Sequence, residues 1–374
     1  VKRIWKTVLL AGISIIVISS ATILLFELVP EPPVGEMEYA RLTLARANAH
    51  SASTYSQKQF REAKTFYDSA MTHWRRQNQR FIYFRDYSRV AQFAKKSADA
   101  AHQAAESSRL RTKNLIINTK DKIYSLKSLI EDINGLFNRY PLPDRVRDNI
   151  ARGKLLLKES EIAFNKGQYI PANKMVLESE SLLTSSYSKA FNDLKEYFRS
   201  YPEWKKMVEQ SINESRINNS YSIIVDKFSG KCLVYLNGQK KYEFDSELGK
   251  NWVGDKLQKG DYATPEGMYK IKTKLPPSKT KYYKALLINY PNDEDIARFK
   301  RAKERGDIPA SAKIGGLIEI HGNGGKGTDW TEGCIALKDS DMDIIYKIVE
   351  VGTRVTIIGS MVDLQQILKK DHTE

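Results

Sequence analysis

The chain has 374 residues, 41% of them hydrophobic and 28% charged, with a formal charge of +15. This composition fits a folded, mostly soluble chain with a real core, and the length suggests two domains or three segments. The positive balance suits a polyanionic partner such as nucleic acid, anionic lipid or a cell-wall polymer. A basic surface with no dedicated partner is the plainer alternative. Arginine-rich arms, zinc-finger spacings and RNP-type aromatic motifs are all missing, so no nucleic acid is expected as a partner.

The N-terminal stretch from Val8 to Phe26 is uncharged over 19 residues. About 20 apolar residues suffice to cross a bilayer. Lys2, Arg3 and Lys6 precede the run, and Glu27 and Glu31 follow it. The positive-inside rule then predicts a cytoplasmic N-terminus with everything after Pro30 outside. A cleaved signal peptide is the competing reading, but "ELVPEPP" follows the run in place of a small-x-small site. A retained inner-membrane anchor over 1–29 is therefore expected, with a Pro-rich linker over 30–36. Cys232 and Cys334 would lie in an exported compartment, where they could pair. Cys232 sits in a strand-like pattern, and a small buried thiol is the simpler account of it.

From Met37 to about Tyr201 glycine is scarce and apolar residues recur at three- and four-residue spacing. Phe60, Ala63, Phe66, Tyr67 and Ala70 form one such stripe; Leu115, Ile116, Ile123, Leu126, Leu129 and Ile130 form another. The pattern predicts amphipathic helices packed as antiparallel hairpins. Breaks are expected at Asn134–Gly135, at residues 140–143, between Gly167 and Pro171, and at Tyr201–Pro202, giving four to six helices. Residues 55–70 faintly echo residues 164–179, as helical repeat units do. The helical domain is assigned to 37–218, and nothing in it identifies a partner.

At Asn219 the hydrophobic period changes. Residues 221–249 read strand, turn, strand, turn, strand, with Ser229-Gly230 and Asn237-Gly238 as hairpin signals. Strands are expected at 284–291, 315–322 and 353–359, and helices at 292–306 and 338–352. Asp339, Ser340 and Asp341 are suited to capping the second helix. Residues 219–360 are thus a mainly β domain with two helices, followed by a polar tail over 361–374 that contains His372.

Within this β domain the only histidine is His321, and the only cysteine besides Cys334 is Cys232. A Cys/His dyad would have to be His321 and Cys334, since an imidazole beside a thiol can take its proton and make it a nucleophile. Gly333 would admit a substrate backbone, and N–H groups near Cys334 would hold an oxyanion. A zinc site lacks a recognised ligand spacing, even with Asp329 or Glu332 added. The "GGKGT" stretch fails as a phosphate loop, because Lys326 is followed by Gly327. A chance buried cysteine beside a structural histidine stays open on spacing alone.

The block His321-Gly322, then Thr331-Glu332-Gly333-Cys334-Ile335, resembles the signature of the L,D-transpeptidase catalytic domain, the YkuD family of bacterial cell-wall enzymes. Residues 263–271, the opening hairpins and the closing helix and strand match the same family in order, so the resemblance covers 219–360. With the N-terminal transmembrane helix and the all-α helical-hairpin region read above, an α+β multidomain chain is expected; the resemblance implies that its C-terminal part is a mainly β YkuD-like catalytic domain. It also implies that Cys334 is the acyl-accepting nucleophile and His321 its base, with the Gly322 carbonyl orienting the histidine. Gly333 and Cys334 would line the oxyanion site. Thr331 and Glu332 stand in the substrate-facing motif, and Lys326, Tyr282 and Tyr283 are candidates for binding substrate carboxylates. The implied substrate is the peptidoglycan stem peptide, with no cofactor and no metal, on the periplasmic side of the inner membrane. Two departures stand out. Glu332 replaces the family's common histidine, and Ala336 replaces the usual Arg or Asn. The Ala336 form resembles a subgroup that includes hydrolases, which keeps an L,D-peptidase or amidase as the alternative. An inactive wall-binding scaffold is the other.

Overall fold

The computed structural model describes residues 2–371, so His372 lies outside the described residues. The chain divides into two compact units. One is built from the chain up to Asp121 together with Ala163–Asn173, the other from Lys122–Ile162 and the chain from Lys174 onward. The helical stretch that the sequence presents as one region is thus shared between them.

The first unit begins with α1 (Lys2–Glu27), whose apolar stretch is long enough to cross a membrane and is unburied. At about 1.5 Å per residue its 26 residues reach about 39 Å. Trp5 and Phe26 stand exposed near its two ends, as interfacial aromatics do. α2 (Val34–Ala49), the short α3 (Ala52–Tyr55) and α4 (Gln57–Asn78) follow. A 3-10 turn (Ile82–Phe84) then leads into the long α5 (Ser88–Phe137). Alanines make this packing close. Ala47, Ala52, Ala63, Ala101 and Ala104 form one fully buried cluster. Ala40, Ala70, Val90 and Ala94 anchor a second, covered by Tyr67, Met71 and Trp74. The internal echo has a packing counterpart: Ala63 and its equivalent Ala172 are both fully buried, as are Ala70 and its equivalent Ser179.

α6 (Asp144–Asn165) and α7 (Tyr169–Tyr197) complete the helical stretch. The expected turns at 140–143 and Gly167 are present, but Asn134–Gly135 is not a break. α5 runs through it to Phe137. One helical glycine costs only about 1 kcal/mol, and Ile133, Leu136 and Phe137 are buried around it. Burial outweighs propensity here. A further 3-10 turn (Phe198–Ser200) joins α7 to α8 (Tyr201–Ile217), which has proline in its first turn.

The β domain is one eight-stranded sheet ordered β3-β2-β1-β8-β4-β5-β6-β7. Its strands are β1 (Tyr221–Asp226), β2 (Lys231–Leu236), β3 (Gln239–Asp245), β4 (Gly267–Leu275), β5 (Ala285–Ile288), β6 (Glu319–His321), β7 (Ile335–Ala336) and β8 (Arg354–Ile358). The Asn-Gly hairpin forms as the sequence requires, with Asn237 and Gly238 both at positive φ. Beyond β3 the chain bridges to the far edge, Glu247 to Ala336 and Gly249 to Thr331, so the sheet curls until its two edges meet. Of the two helices, α9 (Asp293–Arg305) has a capping box between Asn292 and Asp295 and ends on Gly306. α10 (Asp339–Ile348) has no side-chain cap. Asp339, expected to cap it, accepts instead from the Asn323 N–H at 2.7 Å. The tail includes α11 (Leu364–Asp371). Cys232 and Cys334 are both free, and burial pushes the Cys232 thiol up to about 12.

The α7–α8 junction belongs to the core of the second unit. Lys227 is fully buried, and its Nζ reaches Glu266 Oε1 at 2.6 Å, Gly254 O at 2.6 Å and Thr264 O at 3.0 Å. The same Glu266 carboxylate accepts from Tyr197 Oη at 2.7 Å and Trp204 Nε1 at 2.9 Å. A Cβ on Gly359 would lie 2.2 Å from the Trp204 ring, so the indole and the end of β8 fit only with glycine there. Removing one partner of a buried ion pair leaves an uncompensated charge, at a cost of about 3–5 kcal/mol. Glu266→Gln should therefore destabilise the second unit by an amount in that range, seen as a lower denaturant midpoint. Adding Lys227→Met should recover part of the loss, and chemical denaturation followed by tryptophan fluorescence reads both.

Candidate active site

β6 and β7 pair in parallel, Ile320 with Ile335 and His321 with Ala336. Cys334 directly precedes β7, so this register brings it beside the Glu319–Ile320 segment. The thirteen-residue return that joins the two strands is heavily tied down. Gly322 N donates to Lys284 O, Gly324 N to Leu337 O and Leu337 N to His321 O. Glu247 holds the middle, accepting from Gly327 N at 2.6 Å and Trp330 Nε1 at 2.7 Å. Asp329 Oδ1 accepts from Leu248 N at 2.7 Å and from Arg139 Nη2 at 2.9 Å. Arg139 follows α5, so a residue from the helical stretch fixes this loop.

Two glycines are forced by the fold itself. Gly333 has φ +129°, and a Cβ there would lie 2.5 Å from Ala263 O. Gly324 would meet the Leu337 backbone at 2.8 Å. The need for Gly333 thus arises from its own backbone and from Ala263, before any substrate is considered.

His321 is fully buried. Its Nδ1 lies 2.6 Å from Gly322 O. A carbonyl only accepts, so the proton sits on Nδ1 and Nε2 carries a lone pair. Nε2 is buried and has no hydrogen-bond partner among the described residues. The Tyr282 ring stacks on the imidazole at 3.5 Å and 6°, and the Trp330 ring meets it edge-on at 5.9 Å. Burial drives the His321 pKa down to about 4, with the Lys281 and Lys326 cations adding to the effect and the bond to Gly322 opposing it.

Cys334 is half-buried and its Sγ donates to Leu317 O at 3.6 Å. Burial pushes its thiol up to about 11; the Glu319 carboxylate adds to this, while the Glu319 N–H, Lys281 and Lys256 oppose it. The two groups therefore rest as a neutral thiol and a neutral imidazole, not as a thiolate–imidazolium pair. They share no hydrogen bond in this structure.

The remaining sequence candidates are placed as follows. Thr331 is buried, its hydroxyl donating to Cys334 O at 2.7 Å and accepting from Gly333 N at 3.2 Å. It holds the turn that carries the cysteine, and it occupies the Gly333 N–H expected at an oxyanion. Glu332 is exposed, and its carbonyl lies 3.5 Å from Nζ of the buried Lys256. Lys326 Nζ sits 3.2 Å from the Trp330 ring centre, a cation–π contact. Tyr282 faces the imidazole, and Tyr283 Oη donates to Asp343. Sequence reading missed Arg139, Glu247, Lys256, Lys281 and Glu319. None stands in a motif; each arrives through sheet closure or long-range packing. Among the described residues no three His, Cys, Asp or Glu side chains gather as metal ligands.

Residues 220–357 match the model of the YkuD family, described as the L,D-transpeptidase catalytic domain. No curated protein matches the chain. Among solved structures, Bd1075 of Bdellovibrio bacteriovorus is 24% identical, with 42% of this chain and 55% of that one covered and a TM-score of 0.30. An L,D-transpeptidase from Stackebrandtia nassauensis is 18% identical, with 41% and 65% covered and a TM-score of 0.24. One from Mycobacterium smegmatis is 14% identical, with 37% and 58% covered and a TM-score of 0.24. The chain spans less than two thirds of the length of each. A strand-end histidine, the returning loop and Thr-Glu-Gly-Cys thus fall within the one segment, residues 220–357, that matches the model of the YkuD family, the L,D-transpeptidase catalytic domain.

Proposed function

We propose that the chain is a membrane-anchored L,D-transpeptidase acting on peptidoglycan stem peptides through a Cys334 thioester. The observation that carries this reading is the bare Nε2 of His321. It is a buried base of fixed tautomer, on the strand that pairs with the one following the cysteine. In the proposed reaction the thiol turns from Leu317 O toward Nε2 as the substrate carbonyl arrives. His321 takes the thiol proton while Sγ bonds to the carbonyl carbon, and the Cys334 N–H faces the developing oxyanion. Collapse breaks the peptide bond. The imidazolium returns the proton to the leaving amine, and a thioester remains. An acceptor amine then attacks, gives its proton to Nε2 and frees the thiol. Gly322 O keeps the imidazole in the competent tautomer throughout. Lys326 and Lys281, the cations that act on His321, are assigned to substrate carboxylates.

A second reading rests on Ala336. It is fully buried and bridged to Glu247, so no long side chain stands where the family places one. With water as acceptor, the same thioester gives an L,D-peptidase or amidase. In either case α1 is proposed as a retained anchor, with the β domain outside the cytoplasm.

Incubating the protein with disaccharide-tetrapeptides and reading the products by mass spectrometry should give cross-linked dimers that are lost in Cys334→Ala. Shortened monomers would favour the hydrolytic reading, and unchanged substrate would count against both. His321→Gln should reduce turnover by about 10²–10⁴-fold, the usual contribution of a general base. A neutral pair also has a pH signature. Alkylation of Cys334 by iodoacetamide should keep rising through pH 8 to 10, because the thiol ionises only near its raised value of about 11. An early plateau would mean a resting ion pair. Lys326→Ala should raise KM with kcat unchanged, as loss of uniform binding does.

A further inference from the structure

The turn between α4 and α5 carries the sequence Phe81-Ile82-Tyr83-Phe84. Phe81 and Phe84 are 66% and 67% exposed, although large apolar side chains normally seek cover. The three rings are preassembled, Phe81 lying 5.7 Å from Tyr83 and 5.9 Å from Phe84. The turn itself is net positive: residues 75–89 contain five arginines against one acidic residue, Asp86, while Glu31 and Glu36 line the adjoining cleft. Arg85 donates to the carbonyls of Arg80 and Asn78, which are neutral acceptors. The turn also has a fixed neighbour. Arg85, Asp86 and Tyr87 line the same cleft as Pro30, Pro32 and Pro33. Pro30 follows the end of α1 by three residues, within about 11 Å along an extended chain.

We propose that this aromatic turn docks in the outer headgroup layer of the bilayer that α1 crosses, with anionic lipid phosphates held by the flanking arginines. The proposal rests on reading α1 as a retained anchor. If α1 spans the bilayer, its last turn lies at the interface and Arg85 is carried there with Pro30. Aromatic rings favour that depth, and arginine is suited to bidentate contact with phosphate. The turn would give the first unit a second point of attachment, fixing its tilt on the membrane where a single helix would leave it free to swing.

The test uses the full chain in vesicles containing phosphatidylglycerol, with p-benzoylphenylalanine placed in turn at Ile16, Phe84 and Leu110. Leu110 is 61% exposed and lies along α5, about 33 Å from Ser88. Lipid adducts after irradiation are expected at Ile16 and Phe84, with Phe84 several-fold above Leu110. Lipid at Ile16 but not Phe84 overturns the docking and leaves the anchor standing. Lipid at neither removes both. A protein adduct at Phe84, or equal lipid labelling at Leu110, also overturns the proposal.

Discussion

The ammonium of Lys227, fully buried, organises the second unit. Lys227 has no access to water, so its charge must be met entirely within the protein. Glu266 supplies the countercharge, and the carbonyls of Gly254 and Thr264 supply the remaining acceptors. These contacts fix the segment from Gly254 to Glu266 against β1 and α8. Thr264 then passes the constraint on: its hydroxyl accepts from Gly249 N at 3.0 Å. Gly249 in turn bridges to Thr331, and a Cβ on it would sit 3.2 Å from Gly333 Cα. A continuous polar path therefore runs from the cation to the turn holding Cys334.

Burial also sets the chemistry available at the candidate site. Desolvation disfavours charge on both groups, driving the imidazole down and the thiol up. A cysteine kept as a thiol is less exposed to stray oxidants and electrophiles. In the proposed reaction the proton moves only when a carbonyl is present to receive the sulfur. The stacked Tyr282 and edge-on Trp330 keep water from the imidazole at the same time.

The sequence was legible where local chemistry decides the outcome. The Asn237-Gly238 hairpin and the helix α9 follow from turn residues and period alone, while the histidine-to-cysteine return was legible through the family resemblance. It was opaque where partners are distant. Gly135 reads as a break until Ile133, Leu136 and Phe137 are seen to be buried. Asp339 reads as a cap until the loop at Asn323 claims it. Gly333 reads as room for a ligand, yet Ala263 already requires it. Arg139 stands 190 residues from Asp329, and no pattern in either segment announces the pair.

The change of period at residue 219 is a seam in secondary structure, not in packing. Trp252 Nε1 donates to Arg139 O, and the rings of Tyr140 and Tyr197 meet the Trp252 indole. The Trp204 ring fills the space that Gly359 leaves. A β domain moved by recombination onto another N-terminal region would arrive with Trp252 stripped of its neighbours and its buried cation half open. A transplant that keeps this β domain folded must therefore carry Arg139 through Trp204 with it, or rebuild that face from other side chains.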